Sequence, residues 1–523
     1  MTTPHIEWKP KYNPWIIAMT VTLATFMEVL DTSIANVALP HIAGNLSTGV
    51  DESTWVLSSY LVANAVVLPI GAWLATFFGR KRFYMACVVM FGVSSLMCGL
   101  APNLGMLVFF RVLQGLGGGG LAPTEQAILA DTFPPAKRGM AFAVYAMAVV
   151  LAPAVGPTLG GWVTDHYNWR WIFFINVPVV IVSLFLTSKL VEDPPYLKQQ
   201  KRDAKIDYAG LLLLATGIGA AQIVFDKGDR EDWFHSNFII GFALLSAVCV
   251  SIALIWEWYH ENPVIDIRLF RNRNFAVSCM MMFALGGALF GATVLLPQML
   301  QTLMGYSAQD AGMVLSPGAF AIILLLPLIG RLVGKVDARY LICFGFAGAS
   351  LALFHMTSMS LDMDFSTAVK LRIYQMVFVA FLFVPIQTMS YAGIPREKNN
   401  NVSGMTNLAR NLGGSMGISA VTAILSQRGQ FHQTMLASHT GQYDPEFQSR
   451  VAGLAKTFQS SGMDAAVALQ AAYGRVYGAM RSQAEMLGYI DVIWIFAIVC
   501  GLMAPMAFLM KRPKPGGSAP AAH

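Results

Sequence analysis

The 523-residue chain is 55% hydrophobic and 12% charged, with a formal net charge of +6. Globular chains carry about 25% charged residues, so a set of soluble domains of this length is excluded. The mean hydropathy of +0.55 points to a membrane protein, and the modest positive charge reads as a topology signal rather than a nucleic-acid footprint.

A hydrocarbon core of ~30 Å needs about 20 helical residues, and fourteen apolar stretches of suitable length follow one another along the chain. The first, 14–37, holds Glu28 and Asp31 within FMEVLDTSIANVALP. A carboxylate inside a span costs about 2.5–3.5 kcal/mol on insertion scales and is a functional hypothesis by default. The next stretches are 55–78, which leads into GRKR, then 83–101 and 105–129. The fourth carries Arg111, QGLGGGGLAP and Glu125. At 1.5 Å per residue, Asp31 and Arg111 lie at comparable depth. If spans 1 and 4 touch, the two pair either as a proton-coupling site or as a lock between helices. A nearby Arg favours the ionised Asp and desolvation favours the neutral one. Glu28, one turn away, is a second proton site or the acid that meets a cationic substrate. Glu125, ~21 Å from Arg111 along the helix, is expected to face the cytoplasmic mouth as a gate.

Span 5, 140–162, contains LAPAVGPTLGG. Gly156 and Gly160 permit close helix approach, while Pro153 and Pro157 release carbonyls and bend the helix, so a kinked hinge or seal is expected. Span 6, 170–189, ends at the connector VEDPPYLKQQKRDAKID. Two spans follow, 207–226 and 236–257, and then a second connector, EWYHENPVIDIRLFRNRNF. The remaining stretches are 275–299, 309–330, 340–359, 368–392, 402–425 and 486–510. The connectors divide the chain into a six-helix unit at 1–203, an inserted pair at 204–262 and a second six-helix unit at 263–523. In NLARNLGGSMG, Asn407, Arg410 and Asn411 share one helix face, as a cavity lining or an interhelical lock. Tyr60, Gln114, Gln298, Gln375 and Gln387 are further candidates for a substrate cavity. Segment 426–485 is polar, rich in Gln and Ala, and expected opposite the termini, with helical parts at 446–457 and 464–485. It is a solvated surface loop or a docking surface for a periplasmic partner.

Lys and Arg concentrate in alternate loops, beginning with Lys9 and Lys11, Arg80, Lys81 and Arg82, and Lys137 and Arg138. Arg170, Lys227, Arg230, Lys370 and Arg372 are assigned to the opposite loops and helix edges. The bias predicts an even number of spans with both termini cytoplasmic. The N-terminus lacks a signal-peptide cleavage pattern. All six Cys fall in expected spans, which indicates no disulfide framework. The nine His lack metal-ligand spacing, which argues against a membrane metalloenzyme. GRLVGKV, 330–336, misses the Walker spacing and its Ser/Thr, which argues against ATP as the driving force. No cofactor is expected.

LDTSIANVALP, GRKR, RVLQGLGGG, GPTLGG and WRWIFFINVP, with DWF, NPVIDIRLFRNRNF and NLARNLGGSMG, resemble the signatures of the fourteen-span drug:proton antiporters of the major facilitator superfamily, the EmrB/QacA type. The resemblance covers nearly the whole chain. It implies an all-α integral membrane fold of two six-helix bundles plus an inserted pair, rocking about a central cavity. By motif position it assigns proton coupling to Asp31 and Arg111, and the antiporter motif to Gly156, Pro157, Gly160 and Gly161. It places a cytoplasmic loop motif at Gly71, Gly79, Arg80, Lys81 and Arg82, with Thr76 where the family pattern has Asp. The implied activity is export of amphipathic drugs or lipophilic toxins across a bacterial inner membrane, driven by the proton gradient. The implied partners are a periplasmic adaptor of the EmrA type and an outer-membrane channel. Export of one particular metabolite or siderophore by the same machinery is the alternative.

Overall fold

The computed structural model describes residues 10–195, 197, 207–438, 440–441 and 443–512. The expected boundary at 203/204 and the Lys-rich part of the first connector lie outside the described residues. The secondary structure described is helical throughout, and thirteen helices among the described residues are long and apolar enough to cross a membrane. They are Pro14–Asn45, Trp55–Phe78, Arg80–Leu100, Leu104–Thr132, Pro135–His166, Trp171–Leu190, Tyr208–Lys227, Asn237–Tyr259, Arg273–Leu303, Gln309–Leu332, Ala338–Met356, Phe365–Ser390 and Ala465–Leu509. The expected thirteenth span is the helix Asn399–Ala437. Its opening run NNNVSGMTNLARN keeps it polar, yet Asn399, Asn400, Ser403, Thr406 and Asn407 are buried. It is buried by protein on several sides, so it needs no lipid-compatible surface. The arrangement is that of a fourteen-span, all-α membrane protein.

Helix boundaries follow from local chemistry. Asn13 caps span 1 by accepting from Trp15 N at 3.0 Å, with Pro14 in the first turn. Asn103 accepts from Met106 N at 2.9 Å to start span 4, and Ser307 with Asp310 forms a capping box for span 10. These groups satisfy amides that a helix start leaves orphaned. Only Gly79 separates spans 2 and 3, at φ +90°, so Gly71 belongs to the second helix and not to the turn. Span 4 is interrupted at Gly119–Gly120, between Leu104–Gly118 and Leu121–Thr132. Its glycines let spans 2 and 3 approach closely: a Cβ at Gly117 would meet Phe91 N at 2.7 Å, and one at Gly119 would meet Asn64 O at 2.5 Å.

Span 13 packs along span 9, and glycine on both helices brings the backbones together. A Cβ on Gly417 would meet Gly287 Cα at 2.5 Å. The inserted pair leans on both halves. Gly219 of span 7 lies against Val66 of span 2, while Gln222 donates to Ser415 Oγ at 2.8 Å and Ser419 donates to Phe225 O at 2.9 Å.

The last two long helices overrun the expected limits. Asn399–Ala437 has 39 residues and Ala465–Met506 has 42, or ~58 and ~63 Å of helix against a core of ~30 Å. They run unbroken through Gly429, Gly478 and Gly488 and so continue as a projection beyond the bilayer. The helix Pro445–Ser460 packs against the second of them, Val451 and Ala455 meeting its Ala472. Segment 426–485 is thus largely helical.

Overpacking the contact of spans 9 and 13 costs about 1–3 kcal/mol. Gly417→Leu is therefore expected to lower the melting temperature of the detergent-solubilised protein by several degrees, whereas an unchanged melting curve contradicts this packing.

Candidate functional site

Asp31 is 2% exposed and Arg111 is fully buried. Asp31 Oδ2 accepts from Arg111 Nη1 at 2.6 Å, and Oδ1 accepts from Gln114 Nε2 at 3.0 Å and Asn176 Nδ2 at 2.7 Å. Arg111 also donates to Gln114 Oε1 at 2.8 Å and, through Nε, to Val56 O at 3.0 Å. Spans 1, 2, 4 and 6 therefore converge on one carboxylate. Asn176 opens the second helical stretch of WRWIFFINVP; its position within that motif was the available sequence signal, but only the fold shows what it reaches.

Glu28 occupies a second, adjoining station. Its Oε1 accepts from Asn64 Nδ2 at 2.8 Å and from Tyr60 OH at 3.2 Å. The Tyr60 ring lies 4.3 Å from the Arg111 guanidinium, an attractive cation–π contact that joins the two stations. Gly118 makes room for both, since a Cβ there would meet Tyr60 OH at 2.5 Å and Glu28 Cγ at 3.3 Å.

Glu125 departs from the expected gate position. It is fully buried inside the first bundle, where its Oε1 accepts from Thr22 Oγ1 of span 1 at 2.5 Å. Both glycines at the interruption keep helical dihedrals, so Glu125, fourteen residues or nearly four turns after Arg111, lies on the same side of span 4 and faces span 1. Asp31, Glu28 and the Thr22–Glu125 pair consequently descend span 1 over about 13 Å.

The side carrying both described ends of the chain, here the termini side, is closed by other residues. Gln126 Oε1 accepts from Gln387 Nε2 and Asn407 Nδ2, both at 2.7 Å. Nearer the end, Arg80 binds Asp131 and donates to Asn400 Oδ1 at 2.5 Å. Asn399 Nδ2 donates to Asp131 Oδ1 at 2.7 Å, and Asn400 Nδ2 to Thr76 Oγ1 at 3.0 Å. Thr76 thus acts as a neutral acceptor, and Asp131 supplies the acid from span 4. Asp131, Asn399, Asn400 and Gln126 were not singled out from the sequence, because their pairing joins segments far apart in the chain. Lys81 reaches Ser188 O at 2.6 Å, while Arg82 is exposed.

Spans 5 and 10 complete the closure. A Cβ at Gly330 would meet Met140 Cα at 2.9 Å, and Tyr145 of span 5 stacks on Phe383 of span 12 at 5.7 Å. The face of span 5 bearing Gly139, Ala143 and Ala146 continues to Pro153 and Pro157, where both prolines are exposed. On the adjoining side, Gly156 packs on Ser33 and Gly160 on Ile34 of span 1. Gly161 has open space around its Cβ position, so it does not serve this close approach.

The remaining cavity candidates divide. Gln114 belongs to the Asp31 network and Tyr60 to Glu28. Arg410 donates to Asn407 Oδ1 at 3.0 Å beside the Gln126 cluster, and Asn411 reaches Asn64 Oδ1 at 3.5 Å. Gln298 lies near the far end of span 9, away from these groups. Gln375 pairs with Arg372. Arg372 and Lys227, assigned to the outside loops and helix edges, are both buried, at 4% and 5% exposure, because neighbouring helices cover the ends on which they sit.

The sequence pattern of the Major Facilitator Superfamily matches residues 21–418. The chain is 35% identical to the multidrug export protein EmrB of Escherichia coli (strain K12), over 99% of this chain and 100% of that protein. It is 37% identical to the multidrug export protein EmrB of Haemophilus influenzae, over 92% and 95%. Its fold superposes on a double-tryptophan mutant of XylE with a TM-score of 0.63, at 13% identity over 98% of both chains.

An ion pair and its amide partners hold the closed side, and couplings between such states are typically 1–3 kcal/mol, or 5- to 150-fold. With the native cysteines replaced, Ala143→Cys at the contact of spans 5 and 10 is expected to react about tenfold faster with a membrane-impermeant maleimide, added on the termini side, when Asp131→Asn is also present. Equal rates would contradict this closure.

Proposed function

Because the chain belongs to the major facilitator superfamily, whose members are transporters, we propose that it is a proton-coupled antiporter exporting amphipathic or lipophilic drugs and toxins. On this reading it lies in a bacterial inner membrane with both termini cytoplasmic. Its near full-length relatives named as multidrug export proteins support the substrate class, and the bias of Lys and Arg supports the orientation.

The observation that carries the reading is the Asp31 site. A carboxylate held by one guanidinium and two amides is stabilised as the anion, yet it sits in a water-poor interior where neutralisation is the cheaper way to leave its partners. Loading a proton on Asp31 weakens its hold on Arg111 and so loosens the junction of spans 1, 2, 4 and 6. The exposed face of span 5 beyond Ala146, with the opposite side closed, fits an outward-facing stage of alternating access. Asp31 takes a proton there and gives it up after the cavity turns inward. Glu28, beside Tyr60 and Asn64, is placed to meet a cationic head group or to pass the proton on towards Glu125.

The helical projection suits an adaptor. It lifts Phe431, Met435, Tyr473 and Tyr477 out of the membrane as exposed apolar side chains, in keeping with a periplasmic protein that extends the route towards an outer-membrane channel.

In proteoliposomes with an imposed pH gradient, Asp31→Asn is expected to lose uphill drug transport by at least about a hundredfold, the scale of a lost proton-transfer group, while remaining folded and inserted. Wild-type uphill transport in this variant excludes the coupling role. Shortening segment 426–485 is expected to abolish resistance in intact double-membraned cells but to spare transport in vesicles, and equal loss in both excludes the adaptor role.

A further inference from the structure

The two halves of the chain repeat a polar signature. Span 4 carries Arg111, Gln114 and Gln126, and span 12 carries Arg372, Gln375 and Gln387 at the same spacings. The structure uses them alike. Each arginine donates Nη1 to its own glutamine at 2.8 Å, and the two lower glutamines meet across the interface, Gln387 donating to Gln126 at 2.7 Å.

The third partner differs. Arg111 Nη1 meets the carboxylate of Asp31 at 2.6 Å, whereas Arg372 Nη2 meets the neutral hydroxyl of Thr293, in span 9, at 3.2 Å. Thr293 spends its own proton on Leu289 O at 2.7 Å. Arg372 is 4% exposed and its Nε is buried without a partner. Its side-chain acceptors among the described residues are Gln375 and Thr293, both uncharged. Arg111 also leaves Nη2 unmet, but its charge is matched. An arginine does not lose its proton to relieve burial, so a buried guanidinium without a carboxylate calls for an anion from elsewhere.

Arg372 lies seven residues inside the start of Phe365–Ser390, ~10 Å below the far end. It shares a helix face with Met376, Val379 and Phe383, and Phe383 stacks on Tyr145 of the other half. The guanidinium therefore sits on the open side of the termini-side closure, on the face that deeper down meets the first bundle.

We propose that Arg372, Gln375 and Thr293 form an anion site that receives the carboxylate head of an amphipathic substrate, with the tail directed along the apolar face towards Phe383. A guanidinium fork suits a carboxylate; the same chemistry also suits a free halide. The substrate origin of the anion rests on the export reading, so binding is measured apart from transport.

Full-length protein in zwitterionic nanodiscs is titrated with dodecanoate and with dodecyltrimethylammonium, which share a tail and oppose in charge, with empty nanodiscs subtracted. The ratio of dodecanoate to dodecyltrimethylammonium affinity is expected to fall by about tenfold or more in Arg372→Gln, the scale of a lost charge-assisted hydrogen bond. Arg372→Lys should recover part of it. Thr293→Asp, which sets a carboxylate against Arg372 as Asp31 is set against Arg111, should cause the same fall with the arginine still present. Replacing chloride by gluconate should tighten dodecanoate binding in the wild type if a halide competes for the site, and should leave it unchanged if the carboxylate alone is taken; either result supports an anion site. A wild-type ratio in both folded variants overturns it, and if Arg372→Gln does not fold, Thr293→Asp decides. Binding as expected without export of dodecanoate from proteoliposomes would keep the anion site and refute its role in receiving an exported substrate.

Discussion

A charge buried among membrane helices must be met by protein, because no water is at hand to solvate it. That constraint organises this molecule. Asp31 and Arg111 satisfy each other, but neither is complete without Gln114, Asn176 and Val56 O, which draws spans 1, 2, 4 and 6 to one point. The glycine run of span 4 follows from the same demand, since only helices in near backbone contact bring Tyr60 and Glu28 beside that pair. The Arg80–Asp131 pair, completed by Asn399 and Asn400, applies the same rule where the two halves meet.

The two kinds of network differ in what they join. The Asp31 network lies wholly within the first bundle, so on the proposed coupling a proton gained or lost there would act on how that bundle packs. The Arg80 and Gln126 networks link span 4 to spans 12 and 13, so they break when the halves part. Span 5 connects the two levels. Gly156 and Gly160 bind it tightly to span 1 near Asp31, while the adjoining stripe seals against span 10 and then opens at Pro153 and Pro157. A change in span 1 thus has a direct mechanical route to the seal.

Much of the fold was legible in the sequence, because a stretch that must cross ~30 Å of hydrocarbon declares itself by length and composition. The pairing of Asp31 with Arg111 was legible too, since depth along two helices is simple arithmetic. Depth does not reveal rotation or neighbours, and the sequence reading failed there. Glu125 was assigned to the mouth on depth alone, although fourteen residues, nearly four turns, put it on the side of span 4 that bears Arg111. The burial of Arg372 was not foreseen, because closeness to a helix end does not say whether another helix covers it. Asn399, Asn400 and Gln126 escaped notice because an amide has no residue-level signature until its partner, hundreds of positions away, is in place. The polar character of span 13 was a signal in itself: a helix with that many amides must be enclosed by protein.

The central claim is that Asp31 exchanges a proton for substrate within one protein molecule. The most direct measurement is proton release from detergent-solubilised, weakly buffered protein on addition of a transported drug, followed with a pH indicator dye. The account predicts release by the wild type, with an extent that falls as the starting pH rises and less of Asp31 still carries its proton, and no release by Asp31→Asn at a drug concentration that saturates it. Release of the wild-type amount by Asp31→Asn, or drug binding by the wild type with no proton released across the pH range, would contradict it.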